Sequence, residues 1–217
     1  MTPAEQIALW ADKLRDISAM GLLFSKIIHD ETAFREVQTV AMAMLALATG
    51  ESLEQMEPLR ARVFSRPTPL VGGDAAVIDD KGRILLIQRT DNNKWAMPGG
   101  ALDVGETPAE GVLREALEET GVHCRVLSLV GLFDSRLCGT KSRHHLYHLV
   151  FLCEPLSQEQ VEEPSHAVEI QDMGWFLEDC LPEDMDPGHA SRIPEAFRVW
   201  HGDGRVFFDG AQWLGVA

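Results

Sequence analysis

The chain is poor in cysteine and has no hydrophobic segment that would carry it to or across a membrane. Its four cysteines are widely spaced and form no C-x-x-C pair, so we expect reduced thiols and assign them no chemical role. The longest apolar runs are far shorter than a membrane span. No basic segment followed by an apolar one opens the chain, which indicates a cytoplasmic protein without a secretory signal or a membrane partner.

Basic residues are also scarce. Lys and Arg number 19 against 34 Asp and Glu, so the formal net charge is −15. This balance argues against DNA as a partner, because phosphate backbones are bound chiefly by clustered Lys and Arg. If a substrate is phosphorylated, its approach to a negative protein requires local positive charge, such as bound metal ions and a few placed arginines. A length of 217 residues allows one sizeable domain or two modest ones.

The most informative segment begins at Gly100 and reads GALDVGETPAEGVLREALEETGV. Thr107 is followed by a proline, and Glu110 completes the pattern of a capping box at a helix start. Gly121 stands where a left-handed residue ends a helix. The segment therefore predicts a loop followed by a helix over residues 108–120.

Three glutamates of this predicted helix, Glu115, Glu118 and Glu119, are spaced i, i+3 and i+4 and so share one face. Neighbouring carboxylates repel each other and weaken an isolated helix. A hard cation such as Mg²⁺ reverses this cost, because it prefers carboxylate oxygens together with water and substrate phosphate. The competing interpretation is a solvated acidic surface, which does not explain the glycine- and proline-bearing loop ahead of the helix.

The first 66 residues have helical periodicity throughout. Capping patterns at Thr2 and Ser52 open the first and third predicted helices, a second is predicted over residues 31–48, and Gly21 is expected to break or bend the first. Two prolines in residues 66–69 indicate a linker. We therefore predict a helical N-terminal domain over residues 1–66 and a second domain over residues 67–217.

In the second domain the apolar runs become short and strand-like. Runs at 75–78 and 84–88 flank the turn residues 79–82 and predict a β-hairpin. Strands around one glutamate-rich helix fit an α/β fold with a mixed sheet between helices. The remaining predicted elements are strands at 124–132, 146–153 and 173–176 and a helix over 190–200, the start of which Pro194 is expected to restrict.

The segment that begins at Gly100 resembles the signature of the Nudix hydrolases. The stretches WADKLRDISAMGLLFSK and HHLYHLVFLCE are similar to a subgroup in which a small helical domain precedes the Nudix fold. The resemblance implies a Nudix-type α/β/α sandwich and hydrolysis of nucleoside diphosphates linked to another group. Members of this subgroup act on CDP-choline and related pyrophosphates, so these are candidate substrates. The constrained positions of the signature are filled by Gly100, Glu106, Arg114, Glu115, Glu118, Glu119 and Gly121.

The same resemblance implies a Mg²⁺ site, with Mn²⁺ as the alternative ion. Glu115 and Glu119 are the implied ligands, with Glu118 next and the backbone carbonyl of Gly99 completing the set. Arg114 matches an arginine that orients a glutamate of the cluster through an ion pair.

The general base is left open by the resemblance. Some members use a glutamate of the signature helix, here Glu118, and others use one on a later loop. Glu169 and Asp172 lie in the region of that loop, and Glu162 and Glu163 are weaker candidates. A solvated loop acid is the competing interpretation of each.

Two further residues are candidates for substrate contact. Arg89 ends a predicted strand before the signature loop, where it would reach a phosphate or form a surface ion pair. His145 is predicted to face the substrate. It does not share a metal site with His148, because residues three apart on a strand point to opposite faces.

We expect a metal-dependent pyrophosphohydrolase acting on CDP-choline, ADP-ribose or a nucleotide sugar. ADP-ribose is less favoured, because the ADP-ribose enzymes of this fold commonly carry a proline at a position that falls within residues 132–137, where this chain has none. The alternatives are release of pyrophosphate from (d)NTPs and a nucleotide-sensing module without catalysis. The near-balance of charge in the first 66 residues suits protein contact, and we predict a homodimer.

Overall fold

The computed structural model describes residues 2–60, 64, 69–140, 145–156 and 163–210. The chain divides into two compact units, residues 1–68 with 103–105 and residues 69–102 with 106–217. The predicted linker at 66–69 lies mostly outside the described residues, and the domain boundary after residue 66 stays a prediction. None of the helices in the described part of the chain is long and apolar enough to cross a membrane.

The first unit is helical. The predicted capping boxes at Thr2 and Ser52 both form. The predicted break at Gly21 is wrong, because the first helix continues through it; a Cβ there would lie 2.3 Å from the ring of Phe34, so the glycine lets two helices pack closely. The helices are α1 (Pro3–Phe24), α2 (Ile28–Thr49) and α3 (Leu53–Leu59).

The described strands of the second unit form two β-sheets. The larger has the order β4-β1-β6-β5-β8 and the smaller the order β3-β2-β7. The β1–β6 and β5–β8 pairs are parallel and the others antiparallel, so the larger sheet is mixed as predicted. The strands are β1 (Leu70–Val77), β2 (Arg83–Arg89), β3 (Trp95–Ala96), β4 (Gly99–Ala101), β5 (Cys124–Asp134), β6 (Leu146–Pro155), β7 (Ile170–Leu177) and β8 (Phe207–Phe208).

The predicted hairpin of β1 and β2 does not form. The turn is present, with the Asp79 carboxylate accepting hydrogen bonds from the amides of Lys81 and Arg83 at 3.0 and 2.8 Å. Beyond it, the two strands share a single bridge, between Ile78 and Ile84, and then enter different sheets. Strand β1 pairs with β6 along its whole length and with β4 over its first half, whereas β2 pairs with β3 and β7.

Helices α4 (Pro108–Thr120) and α5 (Pro187–Trp200) belong to two separate cores. Along β1, Ala75 and Val77 pack with α4 in one core, and Ala76 packs with α5 in the other. Because successive residues of a strand face opposite sides, this alternation places the sheets between the helices. The predicted α/β/α sandwich is thereby confirmed.

Helix α5 begins earlier than predicted. The carboxylate of Asp186 accepts a hydrogen bond from the Gly188 amide at 2.9 Å, and Pro187 occupies the first turn, where a missing N–H costs nothing. Pro194 lies inside the helix and does not set its start. The expectation that Pro194 limits the start is therefore wrong.

Candidate active site

Helix α4, which lies within the signature segment, begins and ends at the predicted residues. Thr107 Oγ1 accepts a hydrogen bond from the Glu110 amide at 3.2 Å, and the Glu110 carboxylate accepts one from the Thr107 amide at 2.8 Å. Gly121 is left-handed, with φ of 68°. These local contacts fix the start and end of α4 and therefore the face on which its glutamates lie.

Arg114 connects the loop to the glutamates of α4. Its guanidinium donates two hydrogen bonds to Glu106, at 2.8 and 3.0 Å, and one to the carbonyl of Ala101 at 3.2 Å. Its Nη1 also donates to Glu115 at 2.8 Å and to Glu118 at 3.1 Å. One planar cation thus holds three carboxylates in fixed positions, and Glu106 contacts it from the loop.

Glu119 and Glu115 are the buried carboxylates of the cluster, with 7% and 9% of their surfaces exposed. The pKa of Glu119 is raised to about 8, chiefly by burial and also by the charge of Glu115, against the opposing effect of a hydrogen bond from the Gly99 amide at 2.8 Å. Burial also raises the pKa of Glu115, opposed by Arg114. Removal of a carboxylate from water disfavours its charged form, which is the common cause.

Strand β4 lies close to both β1 and α4. A Cβ on Gly100 would lie 2.7 Å from the Glu115 carboxylate, and one on Gly99 would lie 2.3 Å from the carbonyl oxygen of Gly73. The amide of Gly99 donates a hydrogen bond to Glu119, so its backbone lies beside a buried carboxylate. The role of its carbonyl as a metal ligand stays a prediction.

A cleft of about 380 Å³ opens on these groups. Its lining brings together Arg89, Gly99, Glu115, Glu119 and Glu169, which were all singled out in the sequence. Neither Asp172 nor Glu163 is among the described residues that line it, and Glu162 lies outside the described part of the chain.

The ion pair predicted for Arg89 forms, and its contact with a phosphate stays a prediction. Its Nε and Nη2 each lie 3.0 Å from a carboxylate oxygen of Asp91, and the same side chain lines the cleft. Its hydrogen bonds to Asp91 raise the pKa of Arg89, so the guanidinium stays charged. A partly exposed cation at the edge of an acidic cleft is available to a phosphate.

His145 lies away from this cleft. Its Nε2 is 3.1 Å from Asp134, whereas His148 faces Asp74 at 3.8 Å, so the two histidines contact different carboxylates. Among the residues described, His145 does not line the cleft. The structure therefore does not bring this predicted substrate contact together with the glutamates.

Helix α5 supports β4 and the segment before it from the other face of the sheet, a relation that the sequence analysis missed. His189 Nδ1 accepts a hydrogen bond from the Met97 amide at 3.1 Å, and Arg192 lies 2.8 Å from the buried Asp74, the residue paired with Gly99. Burial lowers the pKa of His189 well below its ordinary value, so it is a neutral acceptor. The available signal was the presence of two polar residues on the apolar face of α5.

His166 was also missed, although it lines the cleft. It lies just before the short 3-10 helix Ala167–Glu169, and its amide donates a hydrogen bond to the carbonyl of Glu118 at 2.9 Å. Ligand atoms of Glu115, Glu118 and His166 lie within 4.8 Å of one another. A lone histidine in an acidic loop gives no periodic signal from which this position follows.

Residues 69–196 match the family model of the NUDIX domain. The chain belongs to the Nudix family. Residues 5–59 match a second model, described as a UDP-X-like, N-terminal oligomerisation domain. Together with the cleft, these matches establish a Nudix enzyme that hydrolyses pyrophosphate bonds, preceded by the helical region of that subgroup.

Three known proteins show how far the Nudix likeness extends. The Bacillus subtilis (strain 168) protein named "Putative ADP-ribose pyrophosphatase YjhB" is 27% identical over 203 residues, covering 92% of this chain and 95% of that protein. A crystal structure of a UDP-X diphosphatase is 25% identical with a TM-score of 0.58, covering 94% and 99% of the two chains. An ADP-ribose pyrophosphatase from Streptococcus suis 89-1591 is 25% identical with a TM-score of 0.56, covering 65% of this chain and 100% of its own.

Proposed function

We propose that this Nudix enzyme is a divalent-metal-dependent hydrolase of nucleoside diphosphates linked to another group, X. Cleavage of the P–O–P bridge by water gives a nucleoside monophosphate and phosphorylated X. The names of its relatives support ADP-ribose and UDP-linked compounds as the substrate class, and CDP-choline stays a candidate from the sequence.

The observation that carries the proposal is the pair of buried carboxylates beside a glycine backbone in an open cleft. With a pKa of about 8, Glu119 is mostly protonated at neutral pH unless positive charge is added. The oxygen donors of Glu115, Glu119 and the Gly99 carbonyl are of the kind that Mg²⁺ and Mn²⁺ bind. The residues therefore fit a divalent cation, with Glu118 at the edge of the set.

When bound, such an ion offsets the negative charge of the pyrophosphate and makes water more acidic. Side chains of the protein then bind the substrate and hold the acidic residues in position. Arg89 binds a phosphate oxygen, and Arg114 keeps Glu115 and Glu118 in position. The positive Arg89 also gives a negative substrate a local point of approach on a protein with a net charge of −15.

Glu169 is our choice for the general base. It lines the cleft near Glu119, and its own carbonyl accepts hydrogen bonds from the amide and hydroxyl of Thr90 at 3.0 and 3.1 Å. These bonds fix the backbone from which its carboxylate projects. It takes a proton from the attacking water as the bridging P–O bond breaks, and Glu118 is the alternative base.

The test is a panel of ADP-ribose, UDP-sugars, CDP-choline, dinucleoside polyphosphates and dNTPs, assayed with Mg²⁺ and a coupled phosphatase. Glu119→Gln removes the charge of the buried carboxylate, and Glu36→Gln on the exposed surface of α2 is the matched control. We expect turnover of a diphosphate-linked compound that Glu119→Gln abolishes and Glu36→Gln retains. Turnover of dNTPs alone would favour the alternative reaction, and tight nucleotide binding without turnover would favour a sensor.

We also propose that the helical unit joins two copies of the chain. Its surface exposes several large apolar side chains, among them Trp10, Ile28, Val40 and Leu47, and the matching family model is described as an oligomerisation domain. Large apolar side chains left exposed in this number suit a contact with another protein. Light scattering should give the mass of a dimer for the wild type and for Glu36→Gln, and a lower mass for Leu47→Lys. A monomeric wild type would contradict the proposal.

A further inference from the structure

His166 lines the cleft and lies beside the last turn of α4. Its backbone amide donates to the Glu118 carbonyl at 2.9 Å, one of the carbonyls left without a partner in the last turn of a helix. A second hydrogen bond, from the Glu169 amide to the His166 carbonyl at 2.9 Å, closes the turn. The backbone of His166 is therefore fixed relative to both α4 and Glu169.

The imidazole of His166 faces Glu118 without forming a hydrogen bond. Its Nδ1 lies 3.7 Å from Oε2 of Glu118, beyond the usual range of about 2.7–3.2 Å. Both side chains are partly exposed, 44% and 28%, and an ion pair in such a place contributes little to stability. A contact between these two groups alone does not explain the position of the ring.

The spacing is close to that of two ligands of one cation. Adjacent ligands about 2.1 Å from an octahedral ion are about 3.0 Å apart. The 3.7 Å separation is about 0.7 Å longer, and two partly exposed side chains can close such a gap around an ion. The ligand atoms of Glu115, Glu118 and His166 lie within 4.8 Å of one another, so the three groups form one cluster.

We propose that His166 binds, through Nδ1, a divalent cation that Glu115 and Glu118 also hold, and that this nitrogen ligand shifts the preference of the site. The idea rests on the metal site of the proposed function and adds a ligand from outside the signature. Imidazole suits cations such as Co²⁺ and Zn²⁺ better than it suits Mg²⁺, which prefers oxygen. The site should therefore bind Co²⁺ more tightly, relative to Mg²⁺, than an all-oxygen site does.

The direct test is electron spin-echo envelope modulation on the full-length, untagged protein with less than one equivalent of Mn²⁺. A coordinated imidazole gives ¹⁴N modulation, which we expect in the wild type and not in His166→Gln. His201→Gln is the matched control, because His201 is an exposed histidine paired with Glu178. Absence of ¹⁴N modulation from the wild type, or its persistence in His166→Gln, would overturn the proposal.

Calorimetric affinities for Co²⁺ and Mg²⁺ provide a second readout. Loss of a residue that merely supports a metal ligand costs about 10-fold or more in affinity, so loss of the ligand should weaken Co²⁺ binding by at least that factor. Mg²⁺ affinity should fall less, because glutamine offers an oxygen in the same place. Equal losses for both ions, or none, would refute the role of His166. Hydrolysis by the wild type with Mg²⁺ tests the proposed function separately, since it does not depend on this ligand.

Discussion

The stability of the protein should depend on pH through Glu119. Its pKa is about 8 in the folded protein against an ordinary value of 4.5, chiefly because the side chain is buried. The folded protein thus holds a proton that the unfolded chain has already released between pH 4.5 and 8. Unfolding releases that proton in this window, so the contribution of Glu119 to stability falls as the pH rises through it and is constant above.

The size of the effect follows from the two pKa values. They differ by about 3.5 pH units, and each unit corresponds to about 1.4 kcal/mol, so full ionisation of Glu119 costs about 5 kcal/mol without a cation. At pH 7 the cost is about 3 kcal/mol, from 2.5 of those units. Glu119→Gln is neutral at every pH and keeps an oxygen to accept the hydrogen bond of the Gly99 amide.

Urea unfolding of the wild type and Glu119→Gln in EDTA, at pH 5, 7 and 8.5, measures this cost. The variant should exceed the wild type by less than about 1 kcal/mol at pH 5 and by progressively more at higher pH, whereas Glu36→Gln should show no such trend. Saturating Mg²⁺ should reduce the advantage of the variant, because binding to the folded wild type adds stability. A difference between Glu119→Gln and the wild type that stays constant from pH 5 to 8.5 would refute the reasoning.

Three further predictions concern the surroundings of the site. Asp74→Ala leaves the buried Arg192 unpaired and should cost about 3–5 kcal/mol in urea unfolding, of which Asp74→Leu combined with Arg192→Leu should recover a part. His189→Leu removes the acceptor of the Met97 amide and should cost about 1–3 kcal/mol and speed hydrogen exchange at that amide, whereas His189→Asn should retain some protection. Gly121→Ala forces a side chain into a left-handed position and should cost about 1–2 kcal/mol, and an unchanged melting temperature would contradict this.

Much of the active site follows from local sequence. The capping box at Thr107 forms between residues close in sequence, and so does the left-handed end at Gly121. The ends of α4 can therefore be predicted without knowledge of the fold. The spacing of Glu115, Glu118 and Glu119 then places them on one face by helix geometry alone. For the same reason the capping boxes of α1 and α3 were predicted correctly.

Sequence reasoning was wrong where a choice depended on distant partners. Residues 75–88 have the pattern of a hairpin, but β1 pairs with β6 and β2 pairs with β7, so the two strands meet only at the bridge between Ile78 and Ile84. Gly21 looks like a helix breaker, yet it lies against Phe34 of α2, where close packing outweighs its low helix propensity. Neither outcome is encoded within a few residues of the position concerned.

The sequence alone determined the family, the signature helix and the acidic character of the site, because each depends on spacing along one element. Only the tertiary structure decided which other residues meet that helix. It brought Arg89, His166 and Glu169 to the cleft and left His145 beside Asp134. It also brought His189 to the Met97 amide and Arg192 to Asp74, because buried polar groups require partners from another part of the chain.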